Sequence, residues 1–162
     1  MPNMRSIWSQ HSLAEEVRRL RDSGKQVVFT NGCFDVLHPG HIRLLTEARR
    51  LGDALVVAIN SDDSVRRLKG DSRPIFTESE RAEALAALEV VNYVCIFGED
   101  TPLETIQTIR PDILVKGADW GMDAIVGRSE VESWGGRVVA LPLVAGQSTT
   151  GVIERVLQKG SA

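Results

Sequence analysis

The sequence lacks most features that would point away from a single packed domain. It holds only two cysteines in 162 residues, Cys33 and Cys95. Neither belongs to a CxxC or a Cys/His zinc spacing, so no disulfide framework or zinc centre is expected. Both read as free thiols in a reducing compartment. No apolar run approaches the roughly 18 residues of a membrane span, and the opening MPNMRSIWSQHS lacks the apolar stretch of a signal peptide. Positive charge is not in excess: 19 Lys and Arg against 22 Asp and Glu leave a net −3. A nucleic-acid-coating or membrane-surface protein would show a basic footprint. There is no internal repeat, low-complexity tract or Pro/Gly/Ser-rich linker. No GxGxxG follows the first apolar run, which argues against a dinucleotide-binding domain. The expectation is one cytoplasmic domain over residues 1–162, with residues 1–24 as an N-terminal extension carrying a helix.

What is present alternates strand and helix. Ser12 with Glu15 has the form of a capping box for a helix ending near Gly24. Gln26–Thr30 reads as a strand and Gly40–Leu51 as an amphipathic helix. Ala54–Ile59 (ALVVAI) is a continuous apolar run of strand length, as for a strand covered on both faces. A short helix over Ser61–Leu68 and a loop over Lys69–Phe76 follow. Thr77 and Glu80 form a second capping box, for a helix through Leu88. Asn92–Phe97 is the third strand. Thr101 as N-cap with Pro102 at N1 opens a helix to about Ile109. Asp112–Val115 is a strand, Asp123–Trp134 a helix ended by Gly135 and Gly136, Arg137–Leu141 a strand, and Thr149–Gln158 a helix. This pattern predicts an α/β, Rossmann-like, doubly wound five-stranded parallel sheet with helices on both faces and strand order 3-2-1-4-5. Its switch point lies between the first and fourth strands, where ligands bind beyond the carboxyl ends. HPGH follows the first strand and KGADW the fourth, so the two are expected to face one crevice.

The stretch TNGCFDVLHPGH, Thr30–His41, carries the chemistry. Two histidines flank Pro-Gly where a strand hands over to a helix. A helix start offers unpaired N–H groups and partial positive charge, both suited to phosphate. Gly40 leaves room for a phosphate to approach, and His38 and His41 add donors. A late GQSTT, Gly146–Thr150, supplies a second helix start. Lys69 lies in the basic RRLKG turn. Arg81 sits in the first turn of its helix, where a cation opposes the helix dipole, so another use is expected: support of the Lys69–Phe76 loop or contact with substrate phosphate. Asp35, Asn60 and Asp62 are candidates to accept sugar hydroxyls, or to cap helices. Trp120 could stack or merely pack, and His11 reads as an incidental surface residue.

These motifs resemble those of the cytidylyltransferase-like nucleotidyltransferase family, whose signature is HxGH after the first strand and a Ser-Thr-Thr run opening a late helix. The resemblance implies that His38 and His41 stabilise charge while the α-phosphate is attacked, with His38 nearest. It implies a third catalytic group in Lys69. Around the nucleotide it places Asn31, Gly32, Cys33, Phe34, Gly40, Lys116, Gly117, Asp119, Gly146, Ser148, Thr149 and Thr150, and at the acceptor Asp35, Asn60, Asp62 and Arg81. Mg²⁺ would be held mainly by the nucleotide, with no dedicated protein cage. Some relatives carry an arginine shortly before the Ser-Thr-Thr run. Here that stretch is Leu141-Pro142-Leu143-Val144, so its work must fall to another residue or be unnecessary.

Longer stretches narrow the resemblance. VFTNGCFDVLHPGH, VVAINSDDSVRRLKG, RPIFTESERAEALAAL, PDILVKGADW and GQSTT are most similar to the adenylyltransferase half of bifunctional heptose kinase/adenylyltransferases. No kinase-like part is present, so a stand-alone adenylyltransferase is expected. The implied partners are ATP and a sugar 1-phosphate, D-glycero-β-D-manno-heptose 1-phosphate, giving ADP-heptose and pyrophosphate for lipopolysaccharide core synthesis; a homodimer is the default assembly. Two alternatives stand beside it: a cytidylyltransferase acting on glycerol 3-phosphate or a similar small phosphate, and a nucleotide-binding regulatory module without catalysis.

Overall fold

A computed structural model describes residues 7–118 and 121–161. Five strands form one parallel sheet: β1 (Val27–Gly32), β2 (Ala54–Asn60), β3 (Tyr93–Phe97), β4 (Ile113–Gly117) and β5 (Arg137–Leu141), in the order β3-β2-β1-β4-β5. The expected α/β class, strand order and switch point are all observed. Every residue of β2 is buried, which is why ALVVAI has no polar alternation.

Side chains alternate across the sheet with period two, and this divides the core. Val27, Phe29, Val56 and Ala58 point to the face covered by α1 (Gln10–Asp22), α5 (Leu103–Ile109) and α6 (Arg128–Ser133). Val28, Leu55, Val57 and Ile59 point to the face covered by α2 (Pro39–Arg50) and α4 (Glu78–Ala86). Burying each of these aliphatic side chains stabilises the fold by about 1.5–3 kcal/mol. The N-terminal helix is part of the first layer: Leu13 and Val17 are fully buried. Its entry is tied to the edge strand by Trp8 N–H donating to Val94 O and Gln10 Nε2 donating to Ile96 O.

Several boundaries differ from expectation for local reasons. α1 begins one turn early, because Ser9 rather than Ser12 is the cap and accepts from Ser12 N–H at 3.1 Å. Thr101 does not cap α5; Pro102 occupies the cap position without a side-chain bond, and its carbonyl accepts from Ile106 N–H. The single helix expected over Asp123–Trp134 is a 3₁₀ turn (Met122–Ala124) and then α6, separated by Gly127 at φ +90°. A Cβ on Gly127 would stand 2.7 Å from Ile106 Cδ1, so close packing on α5 takes precedence over helical continuity. β4 extends to Gly117, carrying Lys116 to the sheet end. The Thr77–Glu80 capping box forms in both directions.

α3 (Asp62–Lys69) and α7 (Thr149–Gly160) complete the set. α7 buries none of its residues, and Val156 and Leu157 are exposed.

Candidate active site

At the end of β1 the chain turns through two left-handed non-glycine residues, Phe34 (φ +47°) and Val36 (φ +42°). Such conformations cost about 1–3 kcal/mol each and persist only when the surroundings hold them. Asp35 between them does the holding. Its side chain is fully enclosed and accepts from Arg73 Nε at 2.8 Å, Ile75 N–H at 2.8 Å and Phe76 N–H at 3.0 Å. Burial alone would raise its pKa, but the hydrogen bonds from Phe76, Ile75 and Arg73 outweigh it and hold the carboxyl below its ordinary value. Asp35 was expected at the sugar. Both of its oxygens are instead committed to the 70–77 loop, which it fastens to the β1 turn.

The turn ends in His38, the N-cap of α2. Its Nδ1 accepts from Gly40 N–H at 3.1 Å, and His41 Nδ1 accepts from His38 N–H at 3.4 Å. A backbone N–H can only donate, so Nδ1 of each ring is unprotonated and the neutral rings carry their hydrogen on Nε2. The rings stack at 3.8 Å between centroids with 25° between planes, and Phe34 lies against His41 at 5.2 Å. Burial pushes the His41 pKa down to about 4, with repulsion from His38 adding to it and Asp35 partly opposing it; burial also lowers His38. At neutral pH both rings are therefore uncharged Nε2–H donors. Gly40 does more than leave phosphate room. A Cβ there would meet His38 Cε1 at 2.8 Å and Gln147 Cβ at 3.0 Å.

The late helix start faces the same space. Ser148 caps α7, accepting from Gly151 N–H at 3.0 Å, and Thr149 Oγ1 donates to Asp35 O at 3.0 Å. Gly146, at φ +75°, makes the turn before them. A chamber of about 380 Å³ is lined by His38, Gly40, His41, Lys69, Arg73 and the Ser148-Thr149-Thr150 run, with Cys33 and Phe34. A second chamber of about 490 Å³ is lined by Asn31, Gly32, Asn60, Asp100, Lys116 and, on its apolar side, Ile125 and Val126. Cys33 and Lys69 line both. HPGH and the end of β4 thus share the switch-point crevice but stand in adjoining chambers. Lys116 Nζ donates to Asn31 O at 3.1 Å, tying β4 to β1, and Gly117 is buried beside it. Asp119 and Trp120 lie outside the described residues.

Arg81 joins four segments. Its side chain is 1% exposed and donates to Phe76 O, Cys33 O, Asn60 O and the Asp62 carboxylate, at 2.8–3.0 Å. Of its two expected uses, these four bonds fit support of the loop. Asp62 is its counter-ion and lines neither chamber. Asn60 is held by Ser64 Oγ and accepts weakly from Cys33 Sγ at 3.7 Å. Arg73 and Gln147 line the first chamber without having been singled out in the sequence. Arg73 lies in a loop whose Gly and Pro read only as punctuation, and its partner Asp35 is 38 residues away.

The profile of the cytidylyltransferase-like family matches residues 29–153. The bifunctional protein HldE of Syntrophotalea carbinolica is 57% identical over 93% of this chain and 31% of its own length. HldE of Trichlorobacter lovleyi is 54% identical over 94% of this chain and 31% of its own. The chain therefore spans about a third of these relatives. A solved structure of the lipopolysaccharide core biosynthesis protein from Thermoplasma volcanium superposes with a TM-score of 0.62 at 34% identity, covering 75% of this chain and 98% of that one. The stacked histidine cap and the facing Ser-Thr-Thr helix start thus lie inside the matched region, and the chain belongs to the cytidylyltransferase-like family of nucleotidyltransferases.

Proposed function

We propose that the protein transfers AMP from ATP to D-glycero-β-D-manno-heptose 1-phosphate, releasing pyrophosphate and forming an ADP-heptose used in lipopolysaccharide core synthesis. The observation that carries the transfer chemistry is the chamber in which two Nε2–H donors and a second helix start converge. Identity above 50% to HldE proteins and the likeness to a lipopolysaccharide core biosynthesis protein support the sugar.

In this reading the triphosphate lies in the first chamber. An oxygen of the sugar 1-phosphate attacks the α-phosphorus, and the bond from that phosphorus to the β-bridging oxygen breaks. The attacking phosphate is already ionised near neutral pH, so no general base is needed. Catalysis is then orientation along an in-line path and stabilisation of charge on the α-phosphate oxygens. His38 and His41 supply Nε2–H donors there. Their Nδ1 atoms are occupied in the helix cap, so the rings cannot turn away without losing those bonds. Ser148, Thr149 and Thr150 receive the outer phosphates at the start of α7. The second chamber, reached past Cys33 and Lys69, takes the sugar phosphate; Asn31 and Lys116, expected at the nucleotide, line this chamber and with Asn60 offer the sugar hydroxyls donors and acceptors, and Lys69 serves both substrates.

Mg²⁺ enters this scheme bound to the nucleotide. Among the described residues no group of three His, Cys, Asp or Glu could hold a metal, and the one carboxylate lining the phosphate chamber, Asp35, has both oxygens taken. The ion would offset triphosphate charge. In this reading the reaction runs in the cytoplasm, where ATP is available. A homodimer would give the uncovered Val156 and Leu157 of α7 a partner. The test is ATP-dependent pyrophosphate release with the heptose 1-phosphate. His38→Ala and His41→Ala should abolish it while leaving a folded domain, and a folded variant with near-wild-type release would overturn the assignment.

A further inference from the structure

The phosphate chamber is poor in permanent charge. Its two histidines are neutral at pH 7, since burial depresses both. The β5–α7 connection, Leu141-Pro142-Leu143-Val144-Ala145-Gly146-Gln147, and the first turn of α7 contain no charged residue. Among the described residues that line the chamber, Lys69 and Arg73 are the permanent cations. An ATP triphosphate brings a charge near −4, and pyrophosphate leaves with most of it.

These two cations differ in how they are held. Lys69 is exposed at the end of α3, on a flexible stem. Arg73 is anchored: its side chain is 12% exposed, and Nε donates to an Asp35 oxygen at 2.8 Å. Asp35 is itself immobilised by two backbone N–H groups. Among the described residues, neither terminal nitrogen of the Arg73 guanidinium donates to any protein group. Taking two permanent charges out of contact with water is costly unless the geometry is used. A guanidinium fixed along one edge presents the other as a planar fork, the form that matches phosphate oxygens in pairs.

We propose that Arg73 binds the β- and γ-phosphates of the nucleotide and stabilises the leaving pyrophosphate, with Asp35 as its positioning residue. The 70–77 loop thus supplies the cation that the stretch before Ser148 lacks. This inference rests on the nucleotidyl-transfer reading for its catalytic role, but pyrophosphate binding can be measured without an acceptor.

The experiment uses the full chain and inorganic pyrophosphate. Calorimetry compares wild type, Arg73→Gln and Arg73→Lys. Steady-state kinetics give KM for ATP and for the sugar phosphate separately. Losing a charge-assisted pair should weaken pyrophosphate binding and raise KM for ATP by about 10- to 100-fold. KM for the sugar phosphate should stay unchanged, and Arg73→Lys should recover part of the loss. Equal pyrophosphate affinity in all three proteins overturns the proposal. So do equal rises in both KM values without rescue by lysine, because a collapsed loop would harm both chambers. Tight pyrophosphate binding that depends on Arg73, in a protein that turns over no acceptor, supports the role of Arg73 and refutes the proposed transfer.

Discussion

His41→Asn separates the chemistry of the histidine pair from its structural work. In the native cap His41 Nδ1 accepts from His38 N–H, and an asparagine Oδ1 can stand close to where Nδ1 stands. The substitution keeps the acceptor, removes the Nε2–H donor and removes a titrating group. The His41 pKa is pushed down to about 4 by burial, against 6.5 for the unperturbed ring. A depressed folded pKa means that the unfolded chain binds more protons between those values. Its stability contribution is therefore complete above pH 6.5 and declines as pH falls toward 4. From linkage, lowering the pH from 7 to 5 should cost wild type about 2 kcal/mol through His41 alone. His38 and Asp35 remain in both proteins, so their contributions cancel to first order. Urea unfolding at pH 7 and pH 5 should show wild type losing about 2 kcal/mol more than His41→Asn. At pH 7 the two should agree within about 1 kcal/mol, while pyrophosphate release by the variant falls by about 10²–10³. Equal pH dependence in the two proteins would refute the burial argument; retained turnover would refute the role of Nε2–H.

Two further perturbations test other parts of the site. Gly40→Ala gains up to about 1 kcal/mol in helix propensity, yet its Cβ would stand 2.8 Å from His38 Cε1. The expected result is a melting temperature near wild type with turnover down by about 10²-fold, since a ring displaced by a fraction of an ångström no longer meets the α-phosphate. Arg81→Met leaves Asp62 and three carbonyl groups without their shared donor. It should cost about 3–5 kcal/mol, read as a fall of about 10 °C in thermal unfolding; a shift under about 2 °C would show that water replaces the guanidinium easily.

The sheet was legible because its signals are local. ALVVAI has no polar alternation, and β2 proved buried along its whole length. HPGH and GQSTT each announce a helix start, and the strand order puts both at the carboxyl ends, where they line one chamber. What stayed hidden depends on partners distant in sequence or on competing local choices. Ser12 reads as the cap from sequence, but the chain before it docks on β3 through Trp8 and Gln10, and Ser9 caps the helix a turn earlier. Gly127 looks like a tolerated glycine within a helix until Ile106 is seen against it. Asp35 looks like a free carboxylate inside the signature, but its three donors come from residues 73, 75 and 76. Arg73 was missed for the same reason. Arg81 was partly legible: a cation at a helix N-terminus signals a use elsewhere, and its four bonds join the 70–77 loop, the turn after β1, the end of β2 and the start of α3.

The most direct test is pyrophosphate release across a grid of nucleotides and phosphorylated acceptors. ATP and CTP are each offered D-glycero-β-D-manno-heptose 1-phosphate, other sugar 1-phosphates and glycerol 3-phosphate. The account predicts that ATP with the heptose 1-phosphate gives the highest kcat/KM, and that His38→Ala silences this pair. Faster release from CTP with glycerol 3-phosphate, or no release from any pair, would contradict it.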